Sequence, residues 1–241
     1  GLYNMAFHYS PKIVTNGLVL ALDAANPNSY PGTGTTWYDL SGNNLHMSLI
    51  NGPTYSNGAL IFDGADDYAE RTGVGLAYSS FTVDTFVQPY SNPGNYRAFF
   101  SSTLASYDDY WFGINWDMGP YSSANFDAIN LEVSRGYGGF YDRDVMTSSI
   151  PFNKWTHLAV VIDATGDTYK QYVNGQEEYS GVYNGTTTNF DRIRVGARYY
   201  GGGTQGSFFP GAISKTSLYS RALSAAEVQQ NYNAFRARFG L

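Results

Sequence analysis

The chain contains no cysteine, which removes disulfides, thiolate zinc sites and cysteine nucleophiles together. Basic residues are scarce. Lysine and arginine total 14, against 20 acidic residues, for a formal net charge of −6. A nucleic-acid surface needs a basic footprint and an anionic membrane attracts basic clusters, so no nucleic acid and no membrane is expected among the partners. No apolar run approaches the roughly 18 residues of a membrane span, and the first residues lack the charged-then-apolar order of a secretory leader. Glutamate is rare too: Glu70, Glu132, Glu177, Glu178 and Glu227 are the whole set. Glycine (27), tyrosine (22) and phenylalanine (15) are abundant in these 241 residues. Aromatics suit pleated, half-buried surfaces and glycine suits tight turns, so the composition points to an all-β chain.

Short strand-like runs separated by turn signals recur along the sequence, the pattern of a two-sheet antiparallel sandwich. Residues 1–16 are polar and irregular and read as an N-terminal arm, either loose or bound to a neighbour. A single domain over residues 17–241 follows, with no internal linker. Gly17 to Asp23 is an apolar first strand, and Trp37 precedes a turn. Phe81-Thr82-Val83-Asp84-Thr85-Phe86-Val87 alternates with period two, which predicts a strand with one face on the core. Residues 115–148 are the least regular stretch, predicted as long loops with one short strand at Ile129–Val133. Asn174-Gly175 between two strand-like runs is a hairpin signal, because both residues accept positive φ.

One helix interrupts the β pattern, predicted over residues 224–239. Ser224-Ala225-Ala226-Glu227 is a capping box in which each of Ser224 and Glu227 can satisfy a backbone N–H of the other. Val228, Tyr232, Phe235 and Phe239 then fall on one apolar face, and Gly240 is a natural stop. That face either closes one end of the sandwich or serves assembly.

Six signals occur in a fixed order: Phe62-Asp63-Gly64, Phe81-Thr82-Val83, Trp155-Thr156-His157, Tyr172-Val173-Asn174-Gly175, Gly211-Ala212-Ile213 and Leu223-Ser224-Ala225-Ala226-Glu227. Together they resemble the laminin G-like, concanavalin A-like lectin/glucanase jelly-roll family over about residues 17–235. The resemblance implies a jelly-roll β-sandwich with a short C-terminal helix. Phe86 stands where the family usually has tryptophan, and Ser214 replaces the aspartate after Gly-x-Ile. The stretches Gly17–Tyr30, Trp37–Asn43 and Asn231–Gly240 are similar to marine bacteriophage virion proteins of this family. That implies a capsid decoration or fibre component on the virion surface, with copies of itself and other virion proteins as partners. The alternative it implies is a lectin-like adhesin for host-surface glycan.

Catalysis is not expected. A glycosidase needs a pair of carboxylates, and none of the five glutamates forms the one-strand arrangement of the related β-glucanases. His8, His46 and His157 are scattered, and His157 in Trp-x-His is read as a packing residue beside Trp155. The family resemblance implies a calcium ion, for which Asp63, Asp66 and Asp67 in one glycine-containing loop supply part of the oxygen set. The same three residues suit an ordinary Asx turn. Aromatic and polar residues in rim loops are the candidate ligand contacts: Tyr107, Asp109 and Trp111; Tyr137, Tyr141 and Arg143; and Arg198, Tyr199 and Tyr200. This mixture serves a glycan pocket, a subunit contact or a core, and Arg143 suits a carboxylate-bearing sugar.

Overall fold

The computed structural model describes residues 12–90, 97–103, 114–118, 128–135, 140–183, 187–200 and 204–241. Two antiparallel eight-stranded sheets form the body. The first runs Gln176–Val182, Thr168–Val173, Thr156–Asp163, Phe81–Pro89, Pro210–Tyr219, Ala59–Asp63, Thr54–Ser56, with Leu18–Asp23 also paired to Pro210–Tyr219. The second runs Phe140–Ser149, Ala128–Arg135, Ile114–Met118, Arg97–Thr103, Arg192–Val195, Tyr68–Thr72, Met47–Ile50, Thr36–Trp37. The all-β jelly-roll sandwich with a short C-terminal helix is therefore the observed architecture. The stretch expected to hold one strand contributes three to the second sheet.

The sheets meet over an aromatic and aliphatic core. Phe81, Val83, Leu158, Val160, Leu60 and Ile213 from the first sheet face Trp37, Met47, Phe100, Ile193 and Val195 from the second. Asp39 ties the Trp37-Tyr38-Asp39-Leu40-Ser41 turn to the first strand. Its Oδ1 accepts from the Ala21 and Ser41 N–H groups and its Oδ2 from Leu45 N and Ser41 Oγ.

The central strand Phe81–Pro89 departs from the expected half-exposed pattern, because almost every residue in it is buried. The cause is the helix Ala225–Phe235, continued by one 3-10 turn over Arg236–Phe239, which lies on the outer face of the first sheet. Ser224 caps it through the expected reciprocal bonds with Glu227, and Gly240 ends it at φ 70. Val228 is fully buried against Ala159, Val161, Tyr172, Tyr219 and Leu223. Burial of such a side chain contributes about 1.5–3 kcal/mol. Val14, within the expected arm, joins this cluster. Its N–H donates to Asn231 Oδ1 at 2.9 Å and its carbonyl accepts from the Tyr219 hydroxyl at 3.0 Å.

Candidate functional site

Among the described residues, Tyr141 and Arg143 belong to the second sheet and Arg198–Tyr200 to a separate hairpin. Tyr107, Asp109, Trp111 and Tyr137 lie outside the described residues. The strand ends that flank them, Thr103 and Ile114, Arg135 and Phe140, sit at the end of the second sheet marked by the Arg192–Thr103 pair. Tyr141 and Arg143 pair with Ser134 and Glu132 near that same end. Arg198–Tyr200 pairs with Thr204–Gly206 in a hairpin that follows Gly196, beyond the opposite end, where Arg97 pairs with Met118. The length of Arg97–Thr103, about 20 Å at about 3.3 Å per residue, lies between Tyr141 and the Arg198–Tyr200 hairpin. Arg198 is itself buried, with its Nε donating to Ser207 Oγ at 3.2 Å, so its charge is used within the fold.

Asp63, Asp66 and Asp67 do come together, with one carboxylate oxygen of each within 4.8 Å of the others. Much of their hydrogen-bonding capacity serves the turn. Asp63 Oδ1 accepts from the N–H groups of Ala65, Asp66 and Asp67, and Asp67 Oδ2 accepts from Asp63 N. The bond from Ala65 leads in holding the Asp63 carboxyl below its usual range. Burial first, then the neighbouring Asp63 and Asp66 charges, push the Asp67 carboxyl up against the bond from Asp63 N. A cation would relieve that repulsion, and the oxygens left over fit part of a calcium shell. Ser214 is remote from this loop. Ile213 pairs with Leu60 while Pro210 pairs with Asp63, so position 214 lies about four residues, or ~13 Å, along the strand from Asp63. An aspartate there would not reach the loop. The Ser214 hydroxyl donates instead to the Gly58 carbonyl at 2.7 Å.

At the same end of the first sheet lies a cleft of about 370 Å³, within the usual size range of small-ligand sites. Its floor and walls come from four places: Gln88 on the central strand, the segment 151–156 before a core strand, Asn174 in the hairpin turn, and Phe239 to Leu241 after the helix. Half-buried Trp155 packs on Phe239 with ring centroids 4.6 Å apart. Phe239 stacks in turn on the fully buried Phe86 at 4.7 Å and 20°, which anchors this wall to the sheet. Arg238 steadies the same segment through two bonds to Asp23, at 2.7 and 3.1 Å.

The polar rim of the cleft is pre-set by the backbone. Asn153 holds φ 59 and Asn174 φ 49, left-handed values that asparagine tolerates. Asn153 N donates to the Pro89 carbonyl at 2.7 Å, and its own carbonyl accepts from Gln88 Nε2 at 2.9 Å. Asn174 N donates to the His157 carbonyl at 2.8 Å, and its Oδ1 accepts from His157 N at 3.0 Å. Lys154 is exposed, and it supplies the one charged side chain among the described lining residues. The sequence offered Trp155 as a fold signal and Phe239 as a helix-face residue. Nothing in their spacing joins them; the helix does so by crossing the sheet.

Behind the cleft is a buried polar layer that sequence reading missed. His157 packs on Phe86 at 4.8 Å and Tyr232 at 5.5 Å, and its Nε2 lies 2.9 Å from Asp84 Oδ2. Lys215 Nζ lies 3.7 Å from Asp84 Oδ1, 4.8 Å from the Phe235 ring centre, and donates to Ser217 Oγ at 2.7 Å. Asn231 from the helix donates to Asp84 Oδ2 at 3.4 Å and to Tyr219 OH at 3.0 Å. Burial alone would raise the Asp84 carboxyl, but His157, then Lys215 and the Asn231 bond, outweigh it and hold it below the usual range. Asp84 and His157 are both fully buried, so this layer is placed to hold the helix, with no solvent access for acid–base work.

The concanavalin A-like lectin/glucanases superfamily matches residues 63–229, and the chain belongs to it. Three solved structures share the fold. Domain 4 of AbnA, an extracellular arabinanase from Geobacillus stearothermophilus, in complex with arabinotriose, superposes with a TM-score of 0.68 at 19% identity, over 89% of this chain and 98% of that one. The binding domain of Paraclostridial Mosquitocidal Protein 1 gives 0.68 at 16% identity, over 92% of this chain and 53% of that one. A Trypanosoma rangeli sialidase in complex with sialic acid gives 0.64 at 16% identity, over 92% and 33%. No curated protein matches by sequence.

Proposed function

We propose that this chain is a non-enzymatic carbohydrate-binding domain and that its sugar occupies the Trp155–Phe239 cleft. The observation that carries the reading is the cleft itself, where an aromatic face sits beside hydrogen-bonding groups held by their own backbone. Sugars present an apolar C–H face and a ring of hydroxyls, so such a site meets both with little ordering cost. Membership of a lectin/glucanase superfamily supports the reading, as does the arabinotriose bound by a domain of this fold. Catalysis has no footing at the cleft, since no aspartate or glutamate is among its described lining residues and glycoside hydrolysis needs a pair.

A second reading places the same domain on a particle. The resemblance of residues 17–30, 37–43 and 231–240 to marine bacteriophage virion proteins favours an exposed decoration or fibre component, contacting copies of itself and other virion proteins. The two readings are compatible, because a surface component can carry an adhesin site. Co-sedimentation with particles, lost on deletion of residues 1–11 while glycan binding persists, is the expected result for both together; Val14 is kept because it packs in the helix cluster.

The test of the primary reading is a glycan array run with the wild type and Trp155→Ala, each with calcium and with chelator. Selective binding that Trp155→Ala abolishes supports it. An array without selective binding, or binding indifferent to Trp155, contradicts it. Asp63, Asp66 and Asp67 are where calcium would sit on this chain. Gly211 pairs with both Phe62 and Pro89, so the loop lies two strands from the cleft, at about 4.8 Å per strand. Calcium would therefore act on the loop and leave the sugar contacts to the cleft.

A further inference from the structure

We infer that the cleft is built for an anionic sugar, one carrying a carboxylate or a sulfate ester, and that Lys154 selects it. This rests on the carbohydrate reading above and narrows it. Two of the acceptors at the rim are spent: the Asn153 carbonyl on Gln88 Nε2 and Asn174 Oδ1 on His157 N. The rim still offers the Asn174 amide N–H groups and the Lys154 ammonium as donors to a ligand. Lys154 is exposed and makes no ion pair among the described residues.

Charge reinforces the point. In a chain with 20 acidic and 14 basic residues, no aspartate or glutamate is among the described lining residues, and the charged side chain at the cleft is a cation. A hydrogen bond from that ammonium to an anionic group is about twice as strong as one to a neutral hydroxyl. A neutral sugar would leave the ammonium unpaired at the mouth of the site. An anionic one pairs it and takes further N–H bonds from Asn174.

The experiment is calorimetric titration of the intact protein with three probes: trigalacturonate, a sulfated galactose trisaccharide and neutral galactotriose. Each is run against wild type, Lys154→Gln and Lys154→Arg, at low and high salt. The exposed position of Lys154 leaves folding unaffected. The expected result is that at least one anionic probe binds more tightly than galactotriose and weakens as salt rises. It loses about tenfold in affinity with Lys154→Gln and regains most of it with Lys154→Arg. The carboxylate and sulfate arms separate the two sources of charge. Galactotriose binding as tightly as the anionic probes, with no effect of Lys154→Gln, overturns the anionic class and leaves the carbohydrate reading standing. Anionic binding indifferent to Lys154→Gln overturns the role of the cleft. Heat from none of the probes, together with a blank glycan array, overturns both readings.

Discussion

Replacing Lys215 by methionine should destabilise this domain more than almost any surface change, and the reason is electrostatic. The Lys215 ammonium is nearly fully buried, 3.7 Å from Asp84 Oδ1. That carboxylate oxygen has no hydrogen-bond partner among the described residues, so Lys215 is its counter-charge. Methionine fills a similar volume and keeps the contact with Phe235, but leaves Asp84 Oδ1 unpaired in the core while His157 and Asn231 serve only Oδ2. Removing one member of a buried pair costs about 3–5 kcal/mol. For a domain of this size that lowers Tm by roughly 6–20 °C. The reverse variant, Asp84→Asn, should cost less. Burial already pushes the Lys215 pKa down, so the stranded amine can shed its proton where a stranded carboxylate meets greater resistance. The double variant Asp84→Asn with Lys215→Met should recover much of the loss. Calorimetric melts and urea titrations of the four proteins at pH 7 give the cycle. A Lys215→Met protein within about 1 kcal/mol of wild type would refute the reasoning, by showing that His157 and Asn231 satisfy the Asp84 carboxylate without Lys215.

Other outcomes follow from named contacts. Glu227 is held at about 2, mainly by the Arg221 guanidinium, whose nitrogens lie 2.6 and 2.9 Å from its oxygens, against an ordinary 4.5. The folded value is the lower one, so this contribution is present above pH 4.5 and is lost as pH falls towards 2. Solvent screening of a partly exposed pair limits it to about 1 kcal/mol, and Glu227→Gln should flatten the acid limb of the stability curve by that amount in urea melts. Asn231→Ala unpairs Val14 N and strips partners from Tyr219 and Asp84, for about 2–4 kcal/mol. It should also speed proteolysis near residue 14, and an unchanged cleavage rate would show that Val14 is held by other means. Gly196 has φ 88, and an added Cβ would stand 2.6 Å from buried Phe62. Gly196→Ala should therefore cost about 2–4 kcal/mol, and a neutral melt would mean that Phe62 has room to move.

The all-β class, the capping box and the hairpin at Asn174-Gly175 were legible because each is local: a period, a cap or a turn within a few residues. The outer layer of the first sheet was not. Thr82, Asp84 and His157 look like solvent-facing or scattered polar residues until the helix, some seventy residues further on from His157, lies over them. The cleft shares that cause. Trp155 and Phe239 are 84 positions apart, and only docking of the helix brings their rings together. The acid loop was legible as a cluster, whereas strand register was not: it pairs position 213 with Leu60 and sets Ser214 well up the strand from Asp63.

The most direct test of the account is an amide and indole NMR titration of the intact protein with the saccharide that binds best on the array. The account predicts saturable shifts at the Trp155 indole, Asn153, Lys154 and Asn174, with little change at Asp63–Asp67 or along Arg198–Tyr200. Saturable shifts confined to those other segments, with the Trp155 indole unmoved, would contradict it.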